Sequence, residues 1–123
     1  MKKRILLVED DQYLLKIYSN KLTQNGFDVD IAITVDEAVR KFTHARPHLI
    51  FLDLILPGRN GFDFLEDLKK MQKGKKRTPV VILSNLGQDI DKKRTQDLGV
   101  ADYFIKANVS LHDIVNKAKE LTS

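Results

Sequence analysis

The chain has no cysteine among its 123 residues. That excludes disulfides, thiol catalysis and cysteine-held metals, and it fits a reducing interior. Also missing is any apolar stretch near the roughly 20 residues a membrane-spanning helix needs, since Asp53 breaks the longest run. Met1-Lys-Lys-Arg4 has the charge of a signal-peptide start, but only Ile5 to Val8 follow before Glu9, which is too short. The expected compartment is the cytoplasm. An apolar fraction of 42% beside 31% charged residues belongs to a globular domain, not a disordered chain. The length suffices for one domain with a real core, so residues 1–123 are expected to form a single unit with no second domain after Ser123.

The net charge of +4 is unevenly spread. Residues 1–68 carry 9 Lys/Arg against 11 Asp/Glu, and residues 69–123 carry 12 against 6. Lys69, Lys70, Lys73, Lys75, Lys76 and Arg77 form one basic group, and Lys92, Lys93 and Arg94 a second. No aromatic residues are interleaved and no recognition motif is visible. A solvated loop and helix surface is therefore expected here rather than a nucleic-acid site.

Strand-like and helix-like periods alternate along the chain. Ile5–Val8 is an apolar run ending in acids, and residues 11–25 carry Leu14, Leu15, Tyr18 and Leu22 at helical spacing before Gly26. Residues 27–33 alternate as a short strand. Thr34-Val-Asp-Glu37 has the pattern of a capping box, opening a helix with Val35, Ala38, Val39 and Phe42 inside. Residues 48–54 are apolar without alternation, as a strand covered on both faces should be. After a Pro57-Gly58 loop, a helix places Phe62, Leu65 and Leu68 inward. Residues 79–84 predict another buried strand, 88–98 a helix with a thin stripe (Ile90, Leu98), 102–105 a strand, and 110–121 a closing helix. Five strands alternating with five helices predict an α/β three-layer sandwich around a parallel sheet, joined by right-handed crossovers. Ligands of such sheets bind beyond the carboxyl ends of the strands.

Those ends hold Glu9 and Asp10 after the first strand, Asp53 at the third, Ser84 at the fourth and Lys106 after the fifth. An aspartate amid apolar residues is rarely left unpaired. Acids at a strand end usually just begin a loop, and Ser84 or Lys106 alone says little; their joint placement is what counts. Each pair of carboxylates about 4 Å apart costs roughly 4 kcal/mol at an effective dielectric of 20, unless a cation neutralises them. Magnesium suits such a site because it takes one or two carboxylates and bridges to phosphate oxygens. A carboxylate nucleophile with a lysine and a hydroxyl nearby describes phosphoryl transfer to an aspartate.

In these pieces, Ile-Leu-Leu-Val-Glu-Asp-Asp (5–11), Asp-Leu-Ile-Leu-Pro-Gly-Arg-Asn-Gly (53–61), Pro-Val-Val-Ile-Leu-Ser (79–84) and Gly-Val-Ala-Asp-Tyr-Phe-Ile-Lys (99–106), the sequence resembles the receiver domain of two-component response regulators. The resemblance covers essentially the whole chain. It implies a flavodoxin-like, doubly wound sheet of strand order 2-1-3-4-5. It implies that Asp53 is phosphorylated by a histidine kinase or histidine phosphotransfer protein. Magnesium, or manganese in its place, would be held by Asp10, Asp53 and the Ile55 carbonyl, with Glu9 helping through water. Ser84 and Lys106 would bind phosphoryl oxygens, and Tyr103 would be the aromatic switch. Residues 88–121 would form the face that binds a downstream protein or a second copy. Such a chain is a switch rather than a turnover enzyme, taking part only in its own phosphorylation and slow dephosphorylation. Nucleic acid and membrane are not expected partners.

The family usually has Lys-Pro with a cis peptide where this chain has Lys106-Ala107. A cis bond costs about 3 kcal/mol before alanine and at most about 1 before proline, so either strain is kept or the loop is rebuilt in trans. Asn85 replaces a common alanine after the serine. Ile55 and Leu86, two residues past Asp53 and Ser84, are apolar and position no hydrolytic water, which predicts a long-lived phosphoryl group. Three other functions compete. A phosphohydrolase of the haloacid dehalogenase type needs a second acid where Ile55 stands. A flavin module needs a phosphate loop where Glu9-Asp10-Asp11 stands. A receiver-like interaction module that is never phosphorylated would not need Glu9, Asp10, Asp53, Ser84 and Lys106 together.

Overall fold

The computed structural model describes residues 2–85 and 89–123, with side chains described for all of these except 89–91. Among them, β1 (Arg4–Val8), β2 (Asp28–Ala32), β3 (Leu49–Leu52), β4 (Val80–Ser84) and β5 (Asp102–Ile105) alternate with α1 (Gln12–Gln24), α2 (Val35–Ala45), α3 (Gly61–Met71), α4 (Asp89–Asp97) and α5 (Leu111–Thr122). The sheet is wholly parallel in the order β2-β1-β3-β4-β5. It is the doubly wound α/β architecture implied by the alternation, and the strand boundaries are trimmed by a residue or two at β2, β3 and β4.

Apolar runs make good central strands because both faces of the sheet are covered. Leu6, Val8, Ile50, Leu52 and Ile82 point to one side, where Ala38, Phe64, Leu65 and Leu68 pack from α2 and α3. Their neighbours Ile5, Leu7, Leu49, Phe51 and Val81 point to the other side, against Leu15, Tyr18 and Leu22 of α1 and Ile114, Val115 and Ala118 of α5. β2 is an edge, which is why it tolerates alternating aspartates.

Helix starts are fixed by side chains that accept the first free N–H groups. Asp11 accepts from Tyr13 and Leu14, so the third acid of the 9–11 run is a helix cap. Asn60 with Asp63 and Ser110 with Asp113 form reciprocal capping boxes. At α2 the expected box is only half present. Thr34 accepts from the Glu37 N–H, but Glu37 Oε1 accepts from Ile33 rather than from Thr34. Glu37 thereby ties the helix to the chain one residue further back.

Candidate functional site

β1 and β3 lie side by side with Val8 opposite Leu52, and the Asp53 N–H donates to the Val8 carbonyl at 3.0 Å. This lattice holds residues 9 and 53 next to each other beyond the sheet, where β1 parts company with β2 and β3. Glu9 and Asp53 are buried, at 1% and 5% exposure, and Asp10 faces solvent. Carboxylate oxygens of Glu9, Asp10 and Asp53 all lie within 4.8 Å of one another.

One cation answers this charge from within the chain. Lys106, just past β5, is fixed by its own N–H donating to the Ser84 carbonyl at 3.0 Å. Its side chain, 10% exposed, crosses to β3 and donates to Asp53 Oδ2 at 2.6 Å, and it also pairs with Glu9 Oε1. The other oxygens are held by backbone: Asp53 Oδ1 accepts from Ile55 N–H at 3.0 Å, and Glu9 Oε2 accepts from Asp11 N–H at 3.1 Å. Burial pushes the Glu9 carboxyl above its ordinary value, Lys106 and the Asp11 N–H work against that, and the Asp53 charge adds to it. Burial works to lower the pKa of Lys106. Its bonds to Asp53 and Glu9 outweigh burial and hold the ammonium above the ordinary lysine range.

Ser84 is fully buried at the end of β4, opposite Ile105. Tyr103 is half-buried on β5, packed against the core on the α2 and α3 side of the sheet, with the Lys92 ammonium 5.9 Å from its ring centre. Ile55 is 54% exposed beside Asp53. The structure thus brings Glu9, Asp10, Asp53 and Lys106 into one cluster, with Ser84 and Tyr103 on the adjoining strands. Glu9 meets Lys106 directly. Leu86 and Gln88 lie outside the described residues, as does the side chain of Ile90.

Two local features frame the site, and the first is the trans loop, one of the two alternatives open at Lys106–Ala107. The Lys106–Ala107 bond is trans, and the Ala107 N–H donates to Asn85 Oδ1 at 3.2 Å. Gly61 closes the loop after Asp53 by donating its N–H to Leu54 O at 2.9 Å. A Cβ on Gly61 would lie 2.6 Å from the Asp53 carbonyl oxygen, so no other residue fits without displacing the acid's own backbone. No helix among the described residues is long and apolar enough to cross a membrane.

Residues 5–119 match the family model of the response regulator receiver domain. The chain belongs to that family. As a receiver domain it is 37% identical, over 86% of its length, to the phosphate regulon transcriptional regulatory protein PhoB of Escherichia coli, and 32% identical over 86% to the alkaline phosphatase synthesis transcriptional regulatory protein PhoP of Bacillus subtilis. It covers 46% and 43% of those proteins, so the chain spans about half the length of the curated relatives it matches. Among solved structures, it resembles the non-phosphorylated HemR receiver domain of Leptospira biflexa (TM-score 0.88, 32% identity), covering 99% of this chain and 95% of that one. A CheY-like receiver domain of Methanospirillum hungatei gives a TM-score of 0.88 at 28% identity, covering 98% and 93%.

Proposed function

We propose that this receiver takes a phosphoryl group on Asp53 from a phosphohistidine of a sensor kinase or phosphotransfer protein, in a magnesium-dependent reaction. The observation that carries the reading is the position of Lys106 Nζ, 2.6 Å from Asp53 Oδ2, inside a cluster of three carboxylates. A carboxylate oxygen of Asp53 forms the new bond to phosphorus as the bond to the imidazole nitrogen breaks. The Ile55 N–H holds Asp53 in one orientation during attack. Lys106 then transfers from the carboxylate to a phosphoryl oxygen, and the Ser84 hydroxyl donates to another.

The donor set fits magnesium, since three carboxylates in reach of one point offer hard oxygen ligands only. Asp10, Asp53 and the Ile55 carbonyl would hold the ion, with manganese able to substitute. When bound it neutralises charge shared between carboxylates and phosphoryl oxygens. Glu9, paired with Lys106, would hold the lysine and help at the ion through water.

The output is a change in the face of residues 88–121. Movement of Ser84 toward the phosphoryl group vacates space for Tyr103, and the altered face binds a downstream protein or a second copy. α4 suits this role because its sequence is strongly polar; among its described side chains Thr95 is buried, and Leu98 just after it is partly buried. The chain acts as a cytoplasmic switch and turns over no substrate. Incubation with magnesium and a small phosphodonor should add the mass of one phosphoryl group, and Asp53→Asn should prevent it. No gain in mass, or a gain that survives that substitution, leaves an unphosphorylated interaction module as the better account.

A further inference from the structure

A parallel sheet sorts its connections to two ends. The loops that follow strands gather at the carboxyl end with Glu9, Asp10 and Asp53, and the segments that precede strands gather at the amino end. Here those preceding segments carry Lys2 and Lys3 before β1, Arg46 before β3, and Lys73 to Arg77 before β4, with Lys69 and Lys70 in the last turn of α3. All of these basic residues are exposed. Among the described residues, none of them takes part in an ion pair. Three neighbouring depressions, each lined by two of Lys75, Lys76 and Arg77, join the basic residues into one surface. One acid, Glu66, lines these depressions. Of the acids that open strands at this end, Asp102 is paired with Lys117, and Asp28, whose N–H donates to the Lys3 carbonyl, is exposed and offsets part of the charge.

So many unpaired cations on one end repel one another, and a dense polyanion relieves that repulsion by displacing counterions. We infer that this end binds the phosphodiester backbone of duplex nucleic acid without regard to sequence. The missing aromatics and recognition motif exclude base stacking and base readout, but backbone binding requires neither. An anionic membrane would offer phosphates too. Peripheral membrane surfaces add apolar groups that enter the lipid, however, and among the described residues the exposed large apolar ones (Tyr13, Ile33 and Ile55) all follow strands at the opposite end. This surface is separate from the Asp53 cluster and stands whether or not Asp53 is phosphorylated.

The test is fluorescence anisotropy of the whole chain with two labelled 30-base-pair DNA duplexes of unrelated sequence, from 50 to 200 mM salt. Anionic phosphatidylserine vesicles at equal phosphate and a polyglutamate competitor serve as comparisons. Equal affinity for both duplexes is expected, with a log–log salt slope of about −5 if six side chains each replace a counterion. That slope means a loss of roughly a thousandfold across the salt range. The variant Lys73→Gln/Lys75→Gln/Lys76→Gln removes only exposed charge. It should melt at the wild-type temperature, bind at least tenfold more weakly at 50 mM salt, and show a slope shallower by about 3. The inference is overturned by no duplex binding at 50 mM salt, by full affinity in the triple variant, or by tighter binding to vesicles or polyglutamate than to duplex.

Discussion

Asn85 and Ala107 lie 22 residues apart in sequence and meet across the end of the sheet, where the Ala107 N–H donates to Asn85 Oδ1. Proline at 107 would have no N–H to give. The two positions at which this chain departs from its family's usual pattern therefore account for each other, and the bond pins the trans loop that carries Lys106. Asn85→Ala is expected to slow phosphorylation by a small donor several-fold while costing only about 0.5–1.5 kcal/mol of stability. Ala107→Pro should also impair it, and the double variant should be less defective than the sum of the two. Additive losses in that cycle would show that the residues act independently.

Lys106 is the only basic group on a buried pair of carboxylates among the described residues. Removing one partner of such a cluster leaves uncompensated charge, so Lys106→Met should destabilise the metal-free protein by about 3 kcal/mol at neutral pH. Millimolar magnesium should recover part of the loss, and urea denaturation with and without the ion measures both. An equal loss in the two conditions would place no cation among these carboxylates.

Glu9 gives the opposite sign. Its folded-state pKa lies above the ordinary 4.5, so the folded chain holds its proton more tightly than the unfolded chain. Stability is then lost as pH rises from 4.5 through the folded value. Glu9→Gln removes that penalty. The variant should be more stable than wild type at pH 7 without metal, by on the order of 1 kcal/mol, and the gap should close below pH 4.5. Thermal melts across that range, together with magnesium titrations showing weaker binding, would check both halves.

Gly61 has no room for a methyl group against the Asp53 carbonyl and the Leu54 Cα. Gly61→Ala should cost about 1–3 kcal/mol. It should also slow phosphorylation, because the backbone that yields belongs to the acceptor. The stability loss is measured by denaturant unfolding and the kinetic loss by the rate of mass gain. A fall in stability with unchanged kinetics would show that the loop moves and Asp53 does not.

Much of this was legible in the sequence because central parallel strands leave an unmistakable trace. Residues 49–52 and 80–83 are continuously apolar and all proved buried. The acids and the lysine at strand ends could be found by the same topological rule. Long-range side-chain partners were not legible. Nothing in the local pattern says that Lys106 reaches Glu9 as well as Asp53, or that Asn85 meets Ala107. α3 was seen as one stripe of Phe62, Leu65 and Leu68, yet Phe64 is fully buried too, because the helix packs against both the sheet and its neighbour α2. Among the described side chains of α4, Thr95 is buried, its hydroxyl donating to its own helix at the Lys92 carbonyl, a polar residue that an apolar-stripe search passes over.

The basic residues around Lys75 and Lys76 at the amino end of the sheet lie opposite the Glu9, Asp10 and Asp53 cluster at its carboxyl end, which gives the molecule a dipole component along its strands. Any extended negative surface, of whatever chemistry, turns the chain so that Lys75 and Lys76 lead and Asp53 trails. A receiver held in that pose keeps its acceptor end facing open solvent, so anchoring and signalling need not compete for the same side of the protein.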